Sequence, residues 1–406
     1  MKCLLNANTV IGIALGLGLL ASLALRPFKL PQVIGHIVVG TVLGLSGWGI
    51  INRETITAFL PVSSLALGMI GFLIGGELRW SRLKKIGRSI VLITLFETVF
   101  SLICVFLIVW LITDNLAFAL ILGSLASATA PGGTTTVIQE YKARGRLTST
   151  LFGVVGMDDA FAIILYAFAF NLAKSLLLPT VGFNWVTILY TGLHEIGGAL
   201  LLGIAMALLI IFIMPLFRNN DAKHVLLLSS LFLSVGIGSH YHVSTILTTM
   251  CMGIILANRR PTQSRHYFHL MNQWTPPIYI LFFILVGAQL DIGVFASIGS
   301  VGLAYIIFRT IGKLLGSWLG ASIAHTPKKV SQNLGLCLLS QAGVALGLAI
   351  ATYHELSTLS PMASTMGLYI LNIITGSTLF FQIIGPILTK FALHRAGDIQ
   401  GDVYAR

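Results

Sequence analysis

Long apolar runs separated by short polar, mostly basic loops set the pattern of this chain. A helix needs roughly 20 apolar residues to cross about 30 Å of hydrocarbon. Runs of that order lie near 8–25, 31–50, 58–77, 88–112, 115–138, 148–172, 190–217, 222–240, 243–258, 275–291, 296–323, 329–352 and 364–391. The ninth and tenth are short and the seventh is long. The pattern predicts an all-α polytopic membrane protein with 13 transmembrane helices. Composition points the same way: charged residues are 9% of the chain and the mean hydropathy is +0.92, whereas soluble domains carry about 25% charged residues.

Thirteen crossings put the termini on opposite sides. Of the 25 Lys and Arg residues, 20 fall in one set of alternate loops and three (Lys2, Arg53, Lys174) in the other. Arg309 and Lys313 lie inside a span. Cytoplasmic loops carry the excess of Lys and Arg, so the N-terminus is expected outside and the C-terminus in the cytoplasm. Such a multi-pass protein is expected in a plasma membrane, on this reading a bacterial inner membrane. The first run has its basic residues, Arg26 and Lys29, after it rather than before it, the wrong flank for a cleaved signal. Only about 15 residues follow the last span, so no soluble regulatory domain is expected there.

The formal net charge of +12 raises nucleic acid as a partner. The basic residues sit in short loops without an extended basic domain or interleaved aromatics, which excludes that class. Cys3, Cys104, Cys251 and Cys337 are scattered without disulfide or metal-ligand spacing and read as small apolar residues. No catalytic constellation stands out; the chain reads as a non-enzyme without cofactor.

The costliest feature is Asp158-Asp159 within LFGVVGMDDAFAIILYAFAFNL, residues 151–172, which holds no other charge. Each carboxylate near a bilayer centre costs about 2.5–3.5 kcal/mol and usually marks an ion or proton pathway.

Two other spans are interrupted. The fifth reads SLASATAPGGTTTV, residues 124–137. Pro131 removes a backbone donor and Gly132-Gly133 lower helix propensity. A simple Pro kink is one reading. A broken helix, whose freed carbonyls and half-helix ends form an ion site, is the other, with Ser127 and Thr129 adding hydroxyl oxygens. The twelfth reads LLSQAGVALGLAI, residues 338–350, with Ser340, Gln341, Gly343 and Gly347 at mid-span. Paired interruptions in two halves point to a transporter site; small-residue helix packing is the alternative. Seven positions separate the fifth and twelfth spans, so they run in opposite directions, as an inverted repeat requires.

The eleventh span, FRTIGKLLGSWLGA, places Arg309 and Lys313 one turn apart on one face. Each either snorkels to an interface or serves as a buried counter-charge to the acidic pair. Among the other acids, Glu77 precedes a basic loop and is expected to cap or pair there. Glu97 lies inside the fourth span as a structural ion pair or a proton relay. Glu195 sits near the outer start of the seventh. His240 and His242 flank an outer loop without a convincing metal pattern.

Together these segments resemble the monovalent cation–proton antiporter superfamily, in its Asp-Asp branch. The matching elements are VIGHIVVGTVLG, SATAPGGTTTVIQEYKARGRLTSTLFGVVGMDDA, FFILVGAQLD, FRTIGKLLGSWLGA and LLSQAGVALGLA. The resemblance implies two inverted repeats with two crossed discontinuous helices. It also implies core helices over 88–172 and 292–392, a dimerisation panel over 1–87 and 222–291, a linker helix over 173–221, a short tail over 393–406 and a homodimer. It implies that Asp159 binds the cation and the proton, and that Asp158 pairs with Lys313, with Arg309 as substitute partner. Some relatives carry an acid where this chain has Ala130; compensation of the half-helix dipoles then falls to Thr129 or Gln341.

The expected activity is exchange of Na⁺, with Li⁺ or K⁺ as alternatives, for protons by alternating access. A hard cation wants oxygen ligands, and protons compete for the same carboxylates. If Lys313 releases a proton when Asp158 changes partner, two protons move per cation and exchange is electrogenic. The rivals are a K⁺/H⁺ antiporter, a sodium-coupled symporter of an organic anion on the same fold, and a receptor that binds a cation without moving it. Potassium-efflux gating is disfavoured because no nucleotide-binding domain follows the last span.

Overall fold

The computed structural model describes residues 6–25, 27, 32–78, 87–130, 134, 137–138, 141–177, 185–241, 243–259, 261–290 and 299–399. The described residues are helical with connecting turns, and hold α1 Ala7–Leu25, α2 Gln32–Leu43, α3 Arg53–Ala58, α4 Leu60–Glu77, α5 Arg88–Thr113, α6 Leu116–Leu125, α7 Arg146–Leu177 and α8 Trp185–Ile213. There follow α9 Asn220–His240, α10 Thr245–Arg259, α11 Pro261–Ala288, α12 Gly299–Ile323, α13 Lys328–Ser331, α14 Leu334–Cys337, α15 Gly343–Ser357 and α16 Pro361–Ala396. Among them, seven helices are individually long and apolar enough to cross a membrane, and four more are apolar but shorter. Leu19, Leu20, Leu201 and Phe212 stand exposed on these helices, as side chains that meet lipid rather than water would.

The chain divides into two compact units. One comprises Met1–Arg82 and Thr180–Gly293. Its core packs Met69 and Phe72 of α4 against Met252 and Leu256 of α10 and Phe268 of α11. The Phe72 and Phe268 rings lie 4.8 Å apart. A second cluster joins Val10 and Ala14 of α1 to Leu43 of α2 and Ile284 and Ala288 of α11.

The other unit comprises Leu83–Pro179 and Val294–Arg406 and carries the acidic pair, Glu97, Arg309, Lys313 and both interrupted stretches. Its element order repeats. A long helix (α5, then α12) is followed by an interrupted stretch (α6 onward, then α13–α15), and then by a second long helix (α7, then α16). The expected fifth and twelfth spans are thus not continuous helices. α6 ends at Leu125, and residues 128–130 are non-helical. Pro131, Gly132 and Gly133 lie outside the described residues. In the later stretch, residues 339–342 are non-helical between α14 and α15.

The Glu77 side chain, Cys3 and His242 also fall outside the described residues. His240 is exposed at the end of α9, and no group of three or more metal-ligating side chains occurs among the described residues. Glu195 is half-buried in α8. Cys104 is half-buried and Cys251 and Cys337 are buried, all as free thiols.

Candidate functional site

Three glycines set the geometry. Gly312, Gly316 and Gly320 recur every fourth residue along α12, and their backbone lies on α5. A Cβ at Gly312 would come within 2.7 Å of Ser101 Cα, one at Gly316 within 2.7 Å of Glu97 Cα, and one at Gly320 within 2.8 Å of Ile93 Cα. Small residues at this spacing let two backbones approach. The close approach seats Lys313 against Glu97.

Lys313 and Glu97 are both fully buried. Lys313 Nζ lies 2.6 Å from Glu97 Oε2. It also donates to the Ser127 carbonyl at 2.5 Å and to Thr129 Oγ1 at 2.7 Å. The carboxylate bonded to Lys313 is thus Glu97, on the facing helix; Asp158, the partner the family resemblance implied, makes no hydrogen bond to it among the described residues, and the two interact electrostatically. The reason is register: the glycine ladder brings Glu97, rather than α7, into van der Waals contact with this part of α12.

Arg309, one turn earlier, is also fully buried and does not snorkel. It bears on Asp158 electrostatically, but its hydrogen bonds among the described residues go elsewhere. Its Nε donates to the Ala126 carbonyl at 3.2 Å, Nη2 to Ala128 at 2.8 Å and Nη1 to Leu339 at 2.8 Å. Those carbonyls belong to the two non-helical stretches, where helical partners are missing and a cation is favoured. Phe381 of α16 covers the guanidinium at 4.4 Å.

The two stretches also bond to each other. Ala130 N donates to the Ser340 carbonyl at 2.8 Å, and Thr129 Oγ1 lies 3.4 Å from the Leu338 carbonyl. Thr134 Oγ1 donates to the Cys337 carbonyl at 3.0 Å. Gln341 Nε2 reaches Tyr305 Oη at 2.8 Å and the Leu125 carbonyl at 3.3 Å. Gln382 Nε2 donates to the Gln341 carbonyl at 2.9 Å. The Ser127 hydroxyl donates back to Ser124, so its carbonyl rather than its hydroxyl meets Lys313. The Ser340 hydroxyl has no partner among the described residues.

Asp158 and Asp159 lie on α7, at 0% and 6% exposure. The groups that bear electrostatically on Asp158 are Asp159, Glu97, Lys313 and the Thr129 hydroxyl. Neither Asp158 oxygen has a hydrogen-bond partner of good geometry among the described residues. Among the described residues, the buried cluster holds three carboxylates, Glu97, Asp158 and Asp159, beside two cations, Arg309 and Lys313. With every group ionised there is one negative charge in excess. Burying an uncompensated charge is expensive.

Sequence reading found the acidic pair, both cations and both interruptions. It left Glu97 between two roles, and it missed Tyr305, Phe381 and Gln382. One signal was available: Tyr305, Arg309 and Lys313 recur every four residues on one face of α12, as do the three glycines.

Comparison with known proteins supplies the family. A Na⁺/H⁺ antiporter of Enterococcus hirae is 22% identical over 79% of this chain and 83% of its own length. An ammonium/H⁺ antiporter subunit of Alkalihalophilus pseudofirmus is 21% identical over 89% of both chains. The fold is similar to that of the sodium proton antiporter MjNhaP1 of Methanocaldococcus jannaschii, with a TM-score of 0.80 at 17% identity, covering 96% of this chain and 98% of that one. The model of the transmembrane sodium/hydrogen exchanger family matches residues 11–394, and the chain belongs to that family.

Proposed function

We propose that the protein exchanges a monovalent cation, Na⁺ in the first instance, for protons across a plasma membrane, with Asp159 and Asp158 as the alternating cation and proton site. The observation that carries this is the single excess negative charge of the buried cluster, set beside two interrupted helical stretches. A cation and a proton each neutralise it, so binding one expels the other. Membership of the exchanger family supports the reading, as does the Na⁺ named for the Enterococcus relative. The Alkalihalophilus relative, named for ammonium, is the reason to test other monovalent cations beside Na⁺.

Alternating access would expose the acidic pair to the two sides in turn. In this reading the chain crosses the membrane 13 times, with the N-terminus outside, the C-terminus in the cytoplasm and the interrupted stretches crossing as an inverted repeat. Residues 88–172 and 292–392 form the core. Residues 1–87 and 222–291 form the panel of a homodimer, joined to the core by 173–221. The two compact units support the division into core and panel. The one-sided distribution of Lys and Arg supports the orientation.

The test is a ΔpH-sensitive dye in everted membrane vesicles. Addition of Na⁺ is expected to dequench the dye in the wild type and to have no effect with Asp159→Asn. Absence of any response to Na⁺, Li⁺, K⁺ or ammonium across several pH values would sink the reading.

A further inference from the structure

One face of α16 carries side-chain oxygens that their protein neighbours leave unsatisfied. Thr378, Gln382, Gly385 and Thr389 recur at steps of four, three and four residues, so they share a face and cover about 16 Å of helix axis. Thr378 Oγ1, Gln382 Oε1 and Thr389 Oγ1 are buried without a hydrogen-bond partner among the described residues. Gln382 Nε2 already donates to the Gln341 carbonyl, so Oε1 is the atom left over. Other hydroxyls of this helix behave differently: Thr365, Thr375 and Ser377 donate to carbonyls three or four residues back. Two more unpartnered oxygens belong to the chain packed on this face. Ser340 Oγ stands against Gly385. Asn333 Oδ1 heads α14, whose Leu334 and Cys337 share a core cluster with Leu393 of α16. The register is antiparallel, with Tyr353 beside Gly367, Gln341 beside Gln382 and Ser340 beside Gly385. It sets Thr378 level with the start of α15, where Ala342 offers no side-chain cap to the first N–H groups.

Protein interiors leave few polar atoms unpaired, and here five oxygens among the described residues follow one line. The set is uncharged. Its hydroxyls donate and accept, its two amide oxygens only accept, and the first N–H groups of α15 only donate. An anion would meet the amide oxygens. A cation would meet the positive end of α15 and Arg309, whose guanidinium bonds the Leu339 carbonyl next to Ser340. Water both donates and accepts without charge, and a buried water makes about three such bonds. We infer that Thr378, Gln382 and Thr389 of α16, with Ser340 and Asn333 facing them, hold a file of buried water that runs from the second interruption toward the end of the unit bearing Lys328 and Lys329. Gly397, just past α16, marks that end: a Cβ there would lie 3.7 Å from Lys329 Nζ. At its inner end the file adjoins the bond from Ala130 N to the Ser340 carbonyl, and Thr129 of the same stretch bears on Asp158. Its role in transport rests on the exchange reading above: the file carries protons between the acidic pair and that side. Each water takes a proton from one neighbour and passes another on, so only O–H bonds form and break.

The experiment is pulsed radiolytic labelling of the purified full-length protein, in which hydroxyl radicals made from bound water oxidise the side chains beside it. The reporters are Cys337, whose thiol bonds the Asn333 carbonyl, and Phe381, next to Gln382; they are 0% and 1% exposed. Matched controls lie in the other unit: Cys251 at 7% and Phe72 at 0% exposure. Cys337 is expected to oxidise severalfold faster than Cys251, and Phe381 severalfold faster than Phe72. Rates equal to or below the controls overturn the inference without any variant. The double variant Thr378→Val/Thr389→Val removes two oxygens that bond nothing among the described residues and keeps the side-chain shape. Labelling of both reporters is expected to fall severalfold, with no rise in melting temperature, because the lost hydroxyls were paired with water. Unchanged labelling with a higher melting temperature is the signature of dry, unpaired hydroxyls and overturns the inference. In the dye assay the double variant is expected to slow Na⁺-driven dequenching severalfold with the apparent KM for Na⁺ unchanged; an undiminished rate overturns the role in transport. A wild type that answers to no cation refutes the exchange reading itself, while the labelling still decides whether the water is there.

Discussion

Among the described residues, the same unit contains two lysine–glutamate pairs in opposite surroundings. Lys313 and Glu97 meet at 2.6 Å with both side chains at 0% exposure. Lys174, near the end of α7, meets Glu355 of α15 at 3.0 Å with side chains 29% and 46% exposed. The chemistry is identical and the consequences differ. At the exposed pair, water competes for each charge and salt screens the attraction. At the buried pair no water competes, each charge depends on the other, and the ammonium is further tied to two oxygens of a non-helical stretch. The exposed pair is an attachment between helices. The buried pair is part of the charge balance around the acidic pair.

The sharpest way to break this contrast is Glu97→Gln, which leaves a buried ammonium without its anion. It is expected to lower stability by about 3–5 kcal/mol, read as a depressed melting temperature in detergent. A Glu97→Gln/Lys313→Met double variant, which removes both charges, is expected to recover most of that loss. A double variant no more stable than the single would show that the pair is not what holds the two charges.

Next in size is Gly316→Val on α12. Its Cβ would fall 2.7 Å from Glu97 Cα, and overpacking at such a contact costs about 1–3 kcal/mol. The helices must part, so cation-driven exchange is expected to fall with the melting temperature, although no charge has changed. Unaltered exchange and melting would mean that the ladder does not set the pair.

A third carboxylate gives an intermediate case. Asp398, 8% exposed, makes no salt bridge among the described residues. Its Oδ2 accepts from Thr148 N and Thr148 Oγ1 at 2.8 Å each, in the first turn of α7. It caps the helix that carries the acidic pair, where a negative group is favoured. Asp398→Ala is expected to cost about 1 kcal/mol of stability, with faster hydrogen exchange confined to the first turn of α7.

The smallest effect belongs to Lys174→Ala, expected at about 0–1 kcal/mol and shrinking with added salt. A loss as large as that of Glu97→Gln would erase the contrast between the two pairs.

Much of this was legible along the chain, because a bilayer imposes strong local rules. An apolar run of about twenty residues must be helical there. Asp158-Asp159 announced itself by standing in apolar surroundings. The interruptions after Leu125 and around Ser340-Gln341 followed from local Pro, Gly and small polar residues. Each of these readings depends on residues within a turn or two of one another.

The partners of the two buried cations were of another kind. Glu97 lies 216 residues from Lys313, and Leu339 lies 30 residues from Arg309. Adjacent turns of one helix face, carrying Arg309 and Lys313, end on different chemistry: backbone carbonyls for the first, a carboxylate for the second. Helix rotation and the glycine-set approach of α5 and α12 made that choice, and no local pattern encodes a rotation. From sequence alone came the helical class, the acidic pair and the places where helices stop. Tertiary structure alone decided which anion neutralises Lys313, because side-chain pairing across helices depends on distances that exist only once the backbones have packed.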